Sequence, residues 1–547
     1  MADGEPPVIN QPPPVPEERS GYERMLEIPE KAWEKVWVWG SERINPIVVK
    51  EVRQSLKSKQ FSISFGLTLL AAVAWTLIAI SLMVPRVYYV PGGATLLTGF
   101  FVILNIPLMI IIPFSAFRSL TSETEESTFE LLSISALSAS QIVYGKMASA
   151  CLQIVLYLSA LAPCIVLTYL LRGVSLFPIL FLLGLTVVFS IGETALALMF
   201  ASVARTRMLQ NGVSVLLLAA LFFGFMPWIS LIVAEGVNEF ANPPSEVYIV
   251  LFAIGTVVAL AVSLVLRAAA AAIDFPSENH STPLRMRIVA LTSVIVFWSV
   301  MGIVASQEAG AAIALLVCLF IFELLLGALM TGELGVMSPR AQRTLPKTFF
   351  GRVCLTWLYP GAGLGYVFLV CLYGSVVVAL ASMELYYERT VSNWFGSTSI
   401  IALGVLLVCY LIIYLGLTRL ILLGVSKQMP GRMVGSFSVL LVLLIFGHLI
   451  PWLGVYYLND FREYEYGWHQ AFNIYWSVIE VADRVSLDIG ASIVIVSLCA
   501  IVIFGLNLVL CTRDVMLVRV SQPPRVREED EHFEMEQGEQ DPFATES

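Results

Sequence analysis

Glu123-Thr-Glu-Glu-Ser-Thr-Phe-Glu130-Leu131-Leu132-Ser-Ile-Ser-Ala-Leu137-Ser-Ala-Ser-Gln-Ile-Val-Tyr-Gly145-Lys146 is the longest polar break in the first half of an otherwise apolar sequence. Four carboxylates, Glu123, Glu125, Glu126 and Glu130, fall within eight positions. Each would cost roughly 2.5–3.5 kcal/mol at the centre of a bilayer, so the stretch lies outside lipid. Phe129, Leu132 and Ala136, followed by Ile142 and Val143, form an apolar stripe at helical spacing. The pattern predicts a short amphipathic helix outside the membrane with a face open to a partner.

On both sides the chain turns apolar. Over 547 residues, 58% are hydrophobic and 13% charged, with a mean hydropathy of +0.81. Soluble domains carry about 25% charge, so lipid is the main solvent here. The net charge of −9 sits mostly in the segment Ser521–Ser547, which holds nine Asp/Glu and two Arg. The remainder is nearly neutral, and nothing in it points to nucleic acid. The eight Cys form no Cys-x-x-Cys pair and read as small buried hydrophobes. The Pro- and Glu-rich start has no basic segment leading into an apolar core, so it does not read as a cleavable signal peptide.

A bilayer core needs about 20 apolar residues per helix, and backbone groups in lipid must be satisfied within the segment. Six helical spans are expected in the first half: Phe61–Val84, Ala94–Phe117, Met147–Leu171, Leu176–Ala204, Met208–Ala234 and Val247–Leu266. Six more are expected after the polar connector 274–287: Ile288–Ala305, Ala309–Met330, Leu364–Ala381, Ile400–Leu423, Val439–Tyr457 and Gly490–Leu510. The predicted fold class is therefore all-α, a polytopic membrane protein with about twelve transmembrane helices. With the N-terminus inside, 27 Lys/Arg face the cytoplasm and five (Arg86, Arg172, Arg389, Arg462, Arg484) face out. That bias places both termini, and Glu123–Lys146, in the cytoplasm.

Before the first span, Ile44, Val48, Val52 and Leu56 recur every four positions, with Lys50, Arg53 and Lys57 on another face. This predicts a helix lying in the headgroup plane, apolar side down. Glu193 stands in mid-span, where a carboxylate either lines a path or pairs with a neighbour such as Thr194 or a backbone carbonyl. Glu323 has the same status nearer the inner end. Asn105 and Asn211 are expected to make hydrogen bonds between helices. Gly361-Ala-Gly-Leu-Gly365 reads either as a close helix approach or as a cap after Pro360. The aromatic segment with Tyr464, Tyr466, Trp468, Tyr475 and Trp476 predicts interfacial helices on the outer side.

Catalytic patterns find no support. Gly145-Lys146 lacks the P-loop Gly, since Ser140 stands there, and Met147 replaces the Ser/Thr that binds magnesium. The four His make no His-x-x-x-His pair, and no Gly-x-Ser-x-Gly occurs.

The first half resembles the permease subunits of type-2 ABC exporters. Three features carry the likeness. They are the basic elbow Asn45-Pro-Ile-Val-Val-Lys50-Glu51-Val-Arg53, the loop Glu126-Ser-Thr128-Phe-Glu130-Leu131-Leu132, and Leu137-Ser-Ala-Ser-Gln-Ile-Val-Tyr-Gly145-Lys146. Ser127 stands where the family has Gly, and Ala136 where it has Pro. The resemblance implies that Glu126, Thr128, Glu130, Leu131, Leu132, Leu137, Gly145 and Lys146 form a coupling helix docked on a separate ATPase subunit. That partner would bind ATP and Mg; this chain would hold no cofactor or metal and would not be an enzyme. Lys50, Glu51 and Arg53 belong to the elbow helix, and Glu193 marks a translocation path.

The expected layout is a cytoplasmic arm (1–40), a six-span permease half (41–275), a second six-span half (276–511) and an acidic tail (512–547). The second half is either a diverged repeat, making a pseudo-dimer, or an appended domain in a homodimer. The expected function is export of a hydrophobic or polymeric molecule across a bacterial inner membrane. The alternative is a non-transporting scaffold that anchors an ATPase to envelope or motility machinery.

Overall fold

The structure, a computed structural model, describes residues 46–85, 89, 92–125, 138–171, 174–204, 206–234, 245–274, 279–306, 309–333, 348, 351, 355–390, 400–424, 432–458, 466–483 and 487–518. Among these residues there is no strand. Among the described residues twelve helices are long and apolar enough to cross a membrane. The chain is an all-α polytopic membrane protein.

An elbow helix, Pro46–Leu56, precedes span one, Lys59–Met83. Span two runs through Gly93–Ile106, a π-helical turn Pro107–Ile111, and Ile112–Glu125. Spans three to six are Ala139–Leu170, Leu176–Val203, Arg207–Ala234 and Ser245–Ile273. Spans seven and eight are Ser281–Ser306 and Ala309–Thr331. Spans nine to twelve are Ala362–Thr390, Ile400–Gly424, Arg432–Leu458 and Leu487–Val518.

Span three begins eight residues before the expected Met147, and span two continues past the expected Phe117. The stretch Glu123–Lys146 is therefore not one separate helix. Its first residues end span two, its last residues open span three, and 126–137 lie outside the described residues. The early start has a local cause, a capping box. Ser138 Oγ accepts from Gln141 N at 3.3 Å, and Ser138 N donates to Gln141 Oε1 at 2.9 Å. Gly145 and Lys146 thus sit two turns inside a span, and both are buried.

The π turn leaves a backbone carbonyl that the regular helix would have used. Ser190 of span four donates to Leu108 O at 2.6 Å and satisfies it. One turn earlier, Asn105 is fully buried and accepts from Trp228 Nε1 of span five at 3.1 Å, the interhelical bond expected for it. Asn211 departs from the expectation: it is exposed, and its neighbour Gln210 is the buried one.

Spans one to six pack around two cores. One is built on Leu96, Phe100, Tyr157 and Leu182; the other is built on Phe117, Val143, Leu198 and Ala269. Spans seven to twelve share one core around Tyr366, Leu403, Tyr410 and Leu415. Spans six and seven join the halves, with Trp298 Nε1 donating to Thr256 Oγ1 at 3.0 Å and Phe252 edge-on to Trp298.

The packing order within each half is the same. Span two packs on one, three, four and five; span three packs on one, four and six; span four packs on five and six. Span eight packs on seven, nine, ten and eleven; span nine packs on seven, ten and twelve; span ten packs on eleven and twelve.

The aromatic segment after span eleven caps the ends of three spans. Trp468–Gln470 and Ile474–Asp483 rest on spans ten, eleven and twelve. Tyr410 and Tyr414 donate to the Ala471 and Phe472 carbonyls at 2.5 and 2.8 Å. Gln470, Asn473 and Ser477 are fully buried, while Trp468, Phe472, Tyr475 and Ile479 are exposed. Tyr464 lies outside the described residues.

Candidate functional site

The residues around Lys146 tie three elements together. Its Nζ lies 3.2 Å from Glu51 Oε2 on the elbow helix and 3.1 Å from Glu123 Oε1 at the end of span two. It also donates to Ser119 Oγ at 2.8 Å and to Ser119 O at 3.3 Å. The side chains of Lys146 and Glu51 are only 2% and 7% exposed. Nearby, Ser55 and Ser149 share a hydrogen bond of 3.1 Å between the elbow helix and span three.

This arrangement adds a protein contact to the reading of the elbow helix. Val48, Glu51, Val52 and Ser55 share one face, and that face meets span three. Glu51 is buried within it, while Lys50 and Arg53 are exposed. Lys50 comes within 3.7 Å of Glu123 at the rim, a pair worth at most about 1 kcal/mol at its exposure. The buried pairs behave differently. Their desolvation offsets much of their attraction, but losing one partner strands a charge.

A cavity of about 350 Å³ adjoins this knot, lined by Gln54, Ser58, Ser64, Arg118 and Gln153 among others. A water needs roughly 10–15 Å³ by this measure, so the hydroxyl- and amide-rich space takes many waters.

Of the sequence-predicted site residues, the structure brings Glu51 and Lys146 together and puts Lys50 at their rim through Glu123, while Arg53 is exposed on the elbow helix and Gly145 is buried in span three. Glu126, Thr128, Glu130, Leu131, Leu132 and Leu137 lie outside the described residues. Glu193 is elsewhere, half-buried on span four and facing Gly224 of span five. Thr194 is not its partner, since that hydroxyl donates to Ser190 O at 2.7 Å. Glu193 Oε2 is buried with no hydrogen-bond partner among the described residues, and neither oxygen of the fully buried Glu323 has one. Glu193→Gln is expected to leave folding and expression unchanged, read by the yield and size-exclusion profile of the detergent-solubilised chain; loss of either would give the carboxylate a structural role.

Sequence reasoning missed a second knot. Arg285, near the start of span seven, is fully buried. Its Nη2 donates to Glu333 Oε2 at 2.8 Å, and its Nη1 donates to Trp357 O and Tyr359 O at 2.8 and 2.5 Å. Glu333 Oε2 also accepts from Gly361 N at 2.9 Å, and Ser281 Oγ donates to Glu333 Oε1 at 3.0 Å. Gly361 has φ +141°, a conformation open to glycine, so it is the turn before span nine. Gly363 and Gly365 serve the other reading of that motif. A Cβ on Gly363 would stand 2.6 Å from Arg419 Nη2, and one on Gly365 would stand 3.0 Å from Arg285 Nη2. Arg419 is itself buried and donates to Asn507 O and Oδ1 at 2.9 and 3.0 Å. The available signal was Arg419 lying inside an expected span.

Comparison with protein-family models, with curated proteins and with solved structures finds no match to this chain.

Proposed function

We propose that the chain is the permease subunit of an ATP-driven exporter in a bacterial inner membrane. A separate ATPase meets it at the connection between spans two and three, and both termini are cytoplasmic. The observation that carries this reading is the buried Lys146 knot. It fastens the elbow helix, the end of span two and the start of span three to one another, at the base of the connection 126–137. A push there displaces three elements together instead of bending one loop. Leu131 and Leu132 supply apolar anchors for such a contact, and the neighbouring carboxylates meet cations on the partner.

The test is co-purification of the tagged full chain from mild detergent. Wild type is expected to bring down an ATPase, and Leu131→Asp with Leu132→Asp to insert normally and lose it. Undiminished co-purification of that ATPase in the double variant removes the coupling assignment. ATP-dependent movement of a cargo in vesicles then separates an exporter from a scaffold.

A further inference from the structure

We infer that residues 281–513 repeat the six-span unit of residues 59–273, and that one copy of the chain supplies a complete pair of units, with Arg285 holding the second as Lys146 holds the first. Adding six to each span number converts the packing pairs of the first half into those of the second. Pairs of sequence neighbours, such as one with two or three with four, arise easily in any hairpin. The distant pairs do not: two with four, two with five, three with six and four with six all recur as eight with ten, eight with eleven, nine with twelve and ten with twelve. Spans five and six are neighbours in sequence yet are not packed closely among the described residues, and the same holds for eleven and twelve.

The two buried ion clusters obey the same correspondence. Spans alternate sides, so the start of span seven, the end of eight and the start of nine lie at the end occupied by the start of one, the end of two and the start of three. In the first unit the cluster joins the elbow helix, the end of span two and the start of span three. In the second it joins the start of span seven, Glu333 just past span eight, and the turn entering span nine. The places are kept while the cation changes its position among them. The cation sits on the third span of one unit and the first span of the other. A carboxylate at the end of the second span is common to both.

Pattern reading hid the likeness, because the two connections have opposite composition. Residues 124–137 hold three Glu and no cation, whereas 334–355 hold four Lys/Arg and no Asp or Glu. The inference needs no ATPase and stands apart from the function proposed above.

That difference supplies the test, on the full chain in inside-out membrane vesicles. A Glu-specific protease reads the first connection at Glu125, Glu126 and Glu130; trypsin reads the second at Arg340, Arg343, Lys347 and Arg352, with sites assigned by fragment mass. Lys146→Ala is expected to speed Glu-specific cleavage of the first connection roughly tenfold by opening it locally, leaving tryptic cleavage of the second unchanged. Arg285→Ala is expected to do the reverse. Arg285→Lys keeps the charge but loses the two-pronged hydrogen bonding, and gives a smaller rise in the same direction. Tryptic cleavage unchanged in both Arg285 variants, or both connections opened by either change, overturns the equivalence. Light scattering of the purified chain in detergent is expected to give one copy of 60.2 kDa; two copies overturn the claim that one chain is the whole pair.

Discussion

Lys146→Met should cost more stability than any other single change near the elbow helix, about 3–5 kcal/mol. The substitution keeps the length and apolar stem of the side chain and removes only the ammonium. Glu51 Oε2 and Glu123 Oε1, both within 3.2 Å of that nitrogen, are then left facing each other as carboxylates without their shared cation. Adding Glu51→Leu to Lys146→Met should restore most of the loss. The buried charge is then gone from both sides, while Glu123 keeps Lys50 at 3.7 Å and some exposure. Melting of the detergent-solubilised chain, followed by size-exclusion of the surviving fraction, reads both outcomes. A double variant no better than the single one would show that the knot contributes through something other than charge pairing.

The second large effect belongs to Gly363→Leu. Its Cβ alone would stand 2.6 Å from Arg419 Nη2 and 3.0 Å from Cys511 Sγ. Arg419 cannot swing aside cheaply, because its Nη1 is held by both oxygens of Asn507 within the bundle. Overpacking usually costs about 1–3 kcal/mol. Displacing a buried guanidinium from its acceptors adds several more. Gly374 in the same span is the control, since a Cβ there meets nothing within 4 Å. Gly374→Ala should instead hold or gain stability, because alanine favours a helix over glycine by about 1 kcal/mol. Equal melting of the Gly363 and Gly374 variants would refute close packing at the arginine.

Much of the fold was written in hydropathy. The spans follow from runs of apolar residues whose length matches a bilayer, and local chemistry moved their ends. Ser138 and Gln141 are a cap readable three residues apart. The knots were illegible for a different reason. Glu51 and Lys146 are 95 residues apart in sequence, and Arg285 meets carbonyls more than 70 residues away. No periodicity records which distant turn a charge will face. What the sequence does carry is anomaly: a carboxylate in the apolar face of the elbow helix, and an arginine inside an apolar span. The glycine motif at 361–365 offered two readings and uses both, one glycine for the turn and two for room beside arginines.

The wide turn at Pro107–Ile111 has a consequence for everything downstream of it in span two. A π turn accommodates one residue beyond the regular helical count. Were that residue missing, Ser119 and Glu123 would swing about 100° around the helix axis and slide about 1.5 Å along it. The oxygens that now converge on Lys146 would then point toward other neighbours. The angular setting of the second half of span two, and with it the alignment of the whole junction, is thus dialled in by a single surplus residue some twelve positions upstream.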